Sequence, residues 1–169
     1  MNKHLPSRSR GFSLIEVLVT LLLTSVGILG MVAMQAKAIA YTQDSIQRNT
    51  AATLADELME IMRADQSNVL TVSGLPRESS GYYSSSLSVS TGDCSSLPNA
   101  PAERLACWAQ RAAQRLPGAA DLLSSEFHIQ PVNAAIEIQL AWNVAKGGCL
   151  EADGDAQSTV CHYRLRAEL

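Results

Sequence analysis

The sequence has few helix-breaking residues near its N-terminus and few aromatic residues throughout. No proline occurs between Pro6 and Pro76, so one uninterrupted helix can occupy most of that interval. Aromatic residues make up 5% of the 169 residues and charged residues 17%. The formal net charge is −3, so the chain lacks the basic excess typical of nucleic-acid-binding domains. We therefore expect no nucleic-acid partner.

The sequence also lacks the patterns typical of catalytic and metal sites. Its many serines lie mainly within 73–97 and outside any G-x-S-x-G pattern. His128 and His162 fall on the polar positions of predicted strands, where surface histidines are ordinary. The alternating acids of 151–155 do not have the spacing of a calcium-binding EF-hand loop, so a solvated turn is favoured over a calcium loop. The sequence predicts no enzyme activity, no cofactor and no metal.

The apolar residues are concentrated in one long run near the N-terminus. Residues 12–34 read FSLIEVLVTLLLTSVGILGMVAM, with Glu16 as the single charged residue. A helix of this length is about 34 Å long, enough to cross a hydrocarbon core of ~30 Å. Lys3, Arg8 and Arg10 precede it without an acid. The positive-inside rule then places the N-terminus in the cytoplasm and the rest of the chain across the membrane.

An ordinary secretory signal and a plain transmembrane anchor are two alternative interpretations of this run. A secretory signal has an apolar core of about 7–15 residues followed by a small-residue cleavage site. Residues 35–40 (QAKAIA) offer such sites. The apolar run is too long for a typical signal, and it carries Glu16 near its start.

The residues that open the run favour a third interpretation. Residues 11–16 read GFSLIE after the short basic leader, and this string resembles the prepilin signature of type IV pilins and type II secretion pseudopilins. The resemblance implies that a membrane peptidase cuts after Gly11 on the cytoplasmic side and that Phe12 is then N-methylated. It also implies an assembly role for Glu16.

Glu16 has two interpretations that are compatible at different stages. A carboxylate inside an apolar helix costs about 2.5–3.5 kcal/mol at the bilayer centre. The resemblance implies that Glu16 offsets this cost by pairing with the α-amino group of Phe12 on a neighbouring subunit. Alternatively, Glu16 lies one turn from the start of the helix, reaches the membrane interface and interacts favourably with the helix dipole.

The pattern after Met34 predicts that the same helix continues as an amphipathic one. Apolar residues recur there at helical spacing, and most charged residues fall elsewhere. The predicted stripe consists of Ile39, Ile46, Leu54, Leu58 and Ile61 or Met62. We expect one long helix over residues 13–64, apolar all round in its first half and packed on a sheet in its second half.

The C-terminal half has the pattern of a helix followed by a small sheet. Residues 101–116 (PAERLACWAQRAAQRL) predict a helix that begins near a proline and ends before Pro117-Gly118. Its apolar face is Leu105, Trp108, Ala109, Ala112 and Leu116. Its other side carries Arg104, Arg111 and Arg115, for which a solvated face is favoured over contact with phosphate or an acidic partner.

Alternating apolar residues predict three antiparallel strands at the C-terminus. The segments are 126–131, 136–144 and 161–169, with a turn near Asn133. In the first of them Phe127 and Ile129 are predicted to point inward. The serine-rich stretch has loop composition, with one short edge strand predicted over residues 82–90. The predicted fold class is α+β: one long N-terminal helix whose C-terminal half packs on a small antiparallel sheet, as the pilin resemblance also implies.

The four cysteines are Cys94, Cys107, Cys149 and Cys161. They form no C-x-x-C pair, which argues against a zinc ribbon or a thioredoxin-type motif. All four follow the apolar run, on the side that we place in an oxidising compartment. Four cysteines allow three disulfide pairings. The pairing of Cys94 with Cys107 and of Cys149 with Cys161 is favoured because each bond closes a short local loop.

The resemblance to pilins implies an organisation and a function. Residues 1–11 form a cytoplasmic leader that is removed, residues 12–35 form the transmembrane and filament-core half of the helix, and residues 36–169 form a periplasmic pilin-like domain. Within the family, GFSLIEVLV and residues 56–66 (DELMEIMRADQ) are most similar to minor pilins of the PilV kind. The chain is therefore expected to be an inner-membrane protein that enters a type IV pilus and helps to prime its assembly.

Partners and alternatives follow from the same resemblance. The expected partners are the prepilin peptidase, other minor pilins, the major pilin, the pilus assembly platform and the inner membrane. The first alternative is a minor pseudopilin of a type II secretion system, which shares the signature and the helix. The second, from a different class, is a membrane-anchored periplasmic binding module.

Overall fold

The structure is a computed structural model that describes residues 11, 13–149 and 158–169. Residues 1–10 of the predicted leader, Phe12 and the acidic segment 151–155 therefore lie outside the described residues. The chain divides into two compact units, residues 1–39 and 40–169.

One helix, α1, spans Leu14–Arg63. It confirms the predicted helix over 13–64 to within one residue at each end. The absence of proline lets the hydrogen-bond ladder continue through all 50 residues.

In the second unit α1 buries one face, which coincides with the predicted stripe from Leu54 to Met62 but not at Ile46. The buried residues are Asp44, Ala51, Leu54, Ala55, Leu58, Met59 and Met62. Leu54, Leu58 and Met62 belong to both sets, but Ile46 is 55% exposed, and Ile39, at the end of the first unit, is 60% exposed. Ile46 lies two residues from Asp44, about 200° around the helix, so the two cannot share a face.

A buried ion pair explains why Asp44 occupies a core position. Its Oδ2 lies 3.0 Å from Nε of Arg48. The Arg48 guanidinium lies over the ring of Trp142, 5.7 Å from its centroid, which is the geometry of a cation–π contact. Asp44 is therefore an exception to the expectation that most charged residues lie away from the apolar stripe, and this pair compensates its charge.

Three further helices complete the α elements among the described residues. They are α2 over Gln66–Val69, α3 over Pro101–Arg115 and α4 over Ala119–Leu122. The helix predicted over 101–116 is confirmed, and all five residues of its predicted apolar face are buried. Gly118 has a φ of 66°, a left-handed conformation that glycine adopts without strain and that separates α3 from α4. Because α2 and α4 have only four residues each, they show too little periodicity to be predicted.

The sheet contains β1 over His128–Val132, β2 over Ala135–Asn143 and β3 over Val160–Ala167. Its order is β1-β2-β3, antiparallel throughout. Val132 pairs with Ala135 across a two-residue turn in which Asn133 has a φ of 59°, so the turn predicted near Asn133 is confirmed. β1 begins two residues later than predicted, yet Phe127 and Ile129 are both buried as expected.

The strand predicted over residues 82–90 is wrong. Only an isolated bridge between Ser84 and Ile129 forms there. The Ser84 hydroxyl accepts a hydrogen bond from the Ser86 N–H and donates one to the Ser86 carbonyl. Such local side-chain bonds satisfy the backbone without a strand.

The core of the second unit joins the C-terminal part of α1, helix α3 and the sheet. Its largest fully buried side chains are Trp108, Trp142, Tyr82 and Phe127. Trp108 packs edge-on against Phe127 with ring centroids 6.5 Å apart, and its indole N–H donates to the Leu54 carbonyl at 2.9 Å. This bond fixes α3 on α1 and satisfies the buried indole N–H of Trp108.

Candidate processing and assembly segment

The start of α1 is built around Ser13 and Glu16. The Ser13 carbonyl accepts hydrogen bonds from the N–H groups of Glu16 at 3.0 Å and Val17 at 3.3 Å, so the first turn closes directly after residue 12. Glu16 lies in that first turn, where the N-terminal end of the helix dipole favours a negative charge. Gly11 precedes the helix and is exposed. Phe12 lies outside the described residues.

The hydroxyl groups of the apolar segment are satisfied within the helix. Thr20 donates to the Val17 carbonyl at 2.9 Å, and Ser25 donates to the Leu22 carbonyl at 2.8 Å. Thr24 makes the same kind of bond. The carboxylate of Glu16, the charged group of this segment, has no hydrogen bond or ion pair among the described residues.

From Leu14 to Met34, the large apolar side chains are all exposed. Leu14 is 79% exposed and Leu22 is 63% exposed. α1 is the one helix in the described part of the chain that is long and apolar enough to cross a membrane, judged by length and composition. An apolar surface of this size is stable only against lipid or other apolar helices.

The second unit is cross-linked by two disulfides. Cys94 is bonded to Cys107 and Cys149 is bonded to Cys161, with Cα–Cα distances of 5.6 Å in both bonds. This is the local pairing that the sequence analysis favoured. The first bond attaches the serine-rich stretch to α3, and the second attaches the loop after β2 to β3.

The arginines of α3 do not form a free solvated face, so that expectation is wrong. Arg111 Nη2 lies 2.6 Å from Glu57 Oε1, and Arg115 Nη1 lies 3.8 Å from Glu57 Oε2. Glu57 and these two arginines join α1 to α3 on the surface of the second unit. The sequence places like charges on one side of α3, but only the packing of α3 on α1 shows where their acidic partners lie.

A second cluster, which was not predicted from the sequence, joins α3 to the turn after α1 and to the serine-rich stretch. Arg104 Nη1 lies 3.0 Å from Asp65 Oδ2, and the Tyr82 hydroxyl donates to the same oxygen at 2.9 Å. Burial is the main cause that raises the pKa of Tyr82 above its ordinary value; the hydrogen bond from Arg104 opposes this shift, and Asp65 adds to it. The three residues are far apart in the sequence, which gives no signal of their contact.

The histidines and acids show no metal-binding arrangement within the described residues. His162 Nε2 lies 3.0 Å from Glu126 Oε2, so this histidine has an acidic partner at the surface. In the described part of the chain, no group of three or more histidine, cysteine, aspartate or glutamate side chains is placed to hold a metal ion.

Comparison with known proteins identifies the N-terminal segment. Residues 6–32 match the family model of the prokaryotic N-terminal methylation motif, which is the prepilin-type signature. The match includes Gly11, Phe12 and Glu16. No curated protein and no solved structure matches the chain.

The motif assigns a general role to the chain. It supports a type IV pilin-like or pseudopilin protein and so points to a structural subunit. It implies processing by a prepilin peptidase and incorporation into a pilus-like assembly. The long apolar N-terminal helix is consistent with anchoring in the inner membrane.

Proposed function

We propose that the protein is a minor pilin of a type IV pilus that helps to prime pilus assembly. The peptidase removes residues 1–11, and the new N-terminal residue, Phe12, is methylated. Residues 12–35 then hold the subunit in the inner membrane and later pass into the filament core. Residues 36–169 form the periplasmic domain.

The observation that carries this proposal is the state of Glu16. It is the only charge among residues 12–36, and it has no partner among the described residues, whereas the neighbouring hydroxyls are satisfied within the helix. A lone carboxylate in an apolar segment is normally paired or functional. After cleavage, the apolar segment of a neighbouring subunit begins with the positively charged amine of Phe12, which is the partner that we propose for Glu16.

Two further observations support the topology and the subfamily. Both disulfides lie beyond the apolar segment, and disulfides persist in oxidising compartments such as the periplasm. The minor-pilin role rests on the resemblance of residues 56–66 to minor pilins of the PilV kind. Other minor pilins, the major pilin and the assembly platform are the partners of such a subunit.

The substitution Glu16→Ala tests the assembly role. Membrane insertion should be unchanged or improved because a costly charge is lost, and cleavage should persist because the leader is unchanged. Incorporation should fail because the neighbour's Phe12 amine loses its anionic partner, and a low-dielectric bundle enlarges that loss. The measurement is filament number and subunit content, beside a blot of the membrane fraction.

Two variants serve as controls. Glu16→Asp keeps the charge and should retain part of the incorporation, whereas Leu18→Ala, on an exposed position of the same segment, should retain all of it. Normal filaments containing normal amounts of Glu16→Ala would contradict the proposal. A requirement for protein secretion instead of pilus formation would identify a type II secretion pseudopilin.

A further inference from the structure

The two outer edges of the sheet differ in how their backbone groups are used. On β1, Ser84 and Ile129 exchange both backbone hydrogen bonds, at 2.9 and 2.8 Å. Pro131 lies one step further along that edge and has no N–H to offer. The β1 edge is therefore closed to another strand.

The β3 edge is not closed in this way. The Val144 N–H donates to the Thr159 carbonyl at 2.9 Å, which fixes the alternation of hydrogen bonds along the β2–β3 ladder. Every second residue of β3, starting at Cys161, therefore bonds to β2. The backbone groups that point away from β2 belong to Val160, His162, Arg164 and Arg166.

These outward groups have a partner at only one end of β3. The Ser158 hydroxyl bonds both backbone groups of Val160. The N–H and C=O groups of His162, Arg164 and Arg166 that leave the edge have no backbone partner in the described part of the chain. They form a row of donors and acceptors on which another strand can pair.

The two arginines on this row are exposed and held in place by neutral groups. Arg164 Nε donates to the Gln139 side-chain oxygen at 2.7 Å, and Arg166 Nη2 donates to the Val132 carbonyl at 3.2 Å. Neither has an acidic partner among the described residues, in contrast to the arginines of α3. Two cations two residues apart on one face of a strand are separated by roughly 7 Å along it.

From this geometry we infer that the β3 edge is a docking site for an extended acidic strand of another protein chain. The strand would pair with the outward backbone groups of His162, Arg164 and Arg166, as in recognition by β-strand addition. Carboxylates at alternate positions of the incoming strand would lie beside Arg164 and Arg166 and form charge-assisted hydrogen bonds. The acidic character follows from charge complementarity, because neither arginine forms an ion pair within the described part of the chain.

A peptide-binding experiment on the full-length protein in detergent tests the inference. The probe is a labelled eight-residue peptide of alternating Thr and Glu; the matched control peptide alternates Thr and Lys. The Thr–Glu peptide should bind, and R164E/R166E should weaken its binding by about tenfold or more while favouring the Thr–Lys peptide. R164K/R166K should retain most of the binding, and R77E, a reversal elsewhere on the surface, should change little.

Amide hydrogen exchange gives a readout that depends on the register. Bound Thr–Glu peptide should slow exchange at His162, Arg164 and Arg166 and leave Tyr163 and Leu165 unchanged, since these already bond to β2. Equal binding of both peptides, or binding without this alternation, would overturn the inference, as would absence of binding by a folded protein. Binding of single-stranded oligothymidylate through the same arginines, without amide protection, would also overturn it, because it would indicate a phosphate-binding patch.

Discussion

The two units of the chain use similar apolar residues in opposite ways. Leu14 and Leu22 in the first unit are 79% and 63% exposed, whereas Leu54 and Leu58 in the second are fully buried. All four lie on one helix. The comparison shows that the second unit has its own core, whereas the first needs lipid or other helices to cover its apolar surface.

The acids of α1 show the same contrast. Asp44 in the second unit is buried and paired with Arg48. Glu16 in the first unit has no partner among the described residues. Each charge within an apolar environment must be compensated. Asp44 has its partner one helical turn away, whereas the proposed function places the partner of Glu16 on a neighbouring subunit.

The largest expected difference between the two units is in the free energy of unfolding when one leucine of each is replaced by alanine. Leu58→Ala removes a fully buried side chain and should lower the free energy of unfolding of the second unit by about 2–5 kcal/mol. Leu22→Ala, the matched control, should leave that free energy unchanged. Urea unfolding followed by the fluorescence of Trp108 and Trp142, both buried in the core, measures this directly. Equal losses in both variants would contradict the division into two units.

Removing a disulfide should have the next largest effect. Replacing both cysteines of Cys94–Cys107 by serine should destabilise the second unit by about 3 kcal/mol. The bond joins residues 13 apart in the sequence, and closing a loop of this length restricts the unfolded chain by an amount of that order. Replacing those of Cys149–Cys161 should have a similar effect. The same urea experiment reports both, and membrane insertion of the first unit should not change. A crossed linkage in non-reducing peptide maps would refute the pairing.

The smallest effect concerns pH and is confined to the second unit. Burial raises the pKa of Tyr82 above 10.0. A raised pKa in the folded state means that its contribution to stability is complete below pH 10 and is lost as pH rises through the folded-state value. Burial also raises the pKa of Tyr83, so ultraviolet titration of tyrosinate should show late-titrating groups, of which Tyr82→Phe removes one. An unchanged late part of the titration curve in Tyr82→Phe would contradict this.

The regular elements were predictable because their residues repeat with a clear period. The alternation in β2 and the apolar face of α3 each specify one buried side over several turns or residues. The long helix was predictable from the lack of proline. The local disulfide pairing followed from the short spacing of the cysteines.

The remaining features depend on contacts between distant residues. Ile46 is exposed although it is apolar, because the face that meets the sheet passes through Asp44 and Ala51 instead. An aspartate gives no sign in the sequence that it lies in the core. Its partner Arg48 contacts Trp142, which is almost one hundred residues away in the sequence. The pairing of Glu57 with Arg111 likewise depends on how α3 packs. For Glu16 the sequence alone identified the candidate, because a single charge in an apolar run is conspicuous without any fold.

The central claim is that the first unit is a processed pilin-type assembly segment, and intact-mass analysis of the membrane-extracted protein tests it most directly. The account predicts a mature chain that lacks residues 1–11 and carries one added methyl group, with fragmentation placing that group on the Phe12 amine. A new N-terminus near Ile39 or Tyr41 would indicate an ordinary signal peptide, and an uncut chain would indicate a plain anchor. Either result would contradict the account.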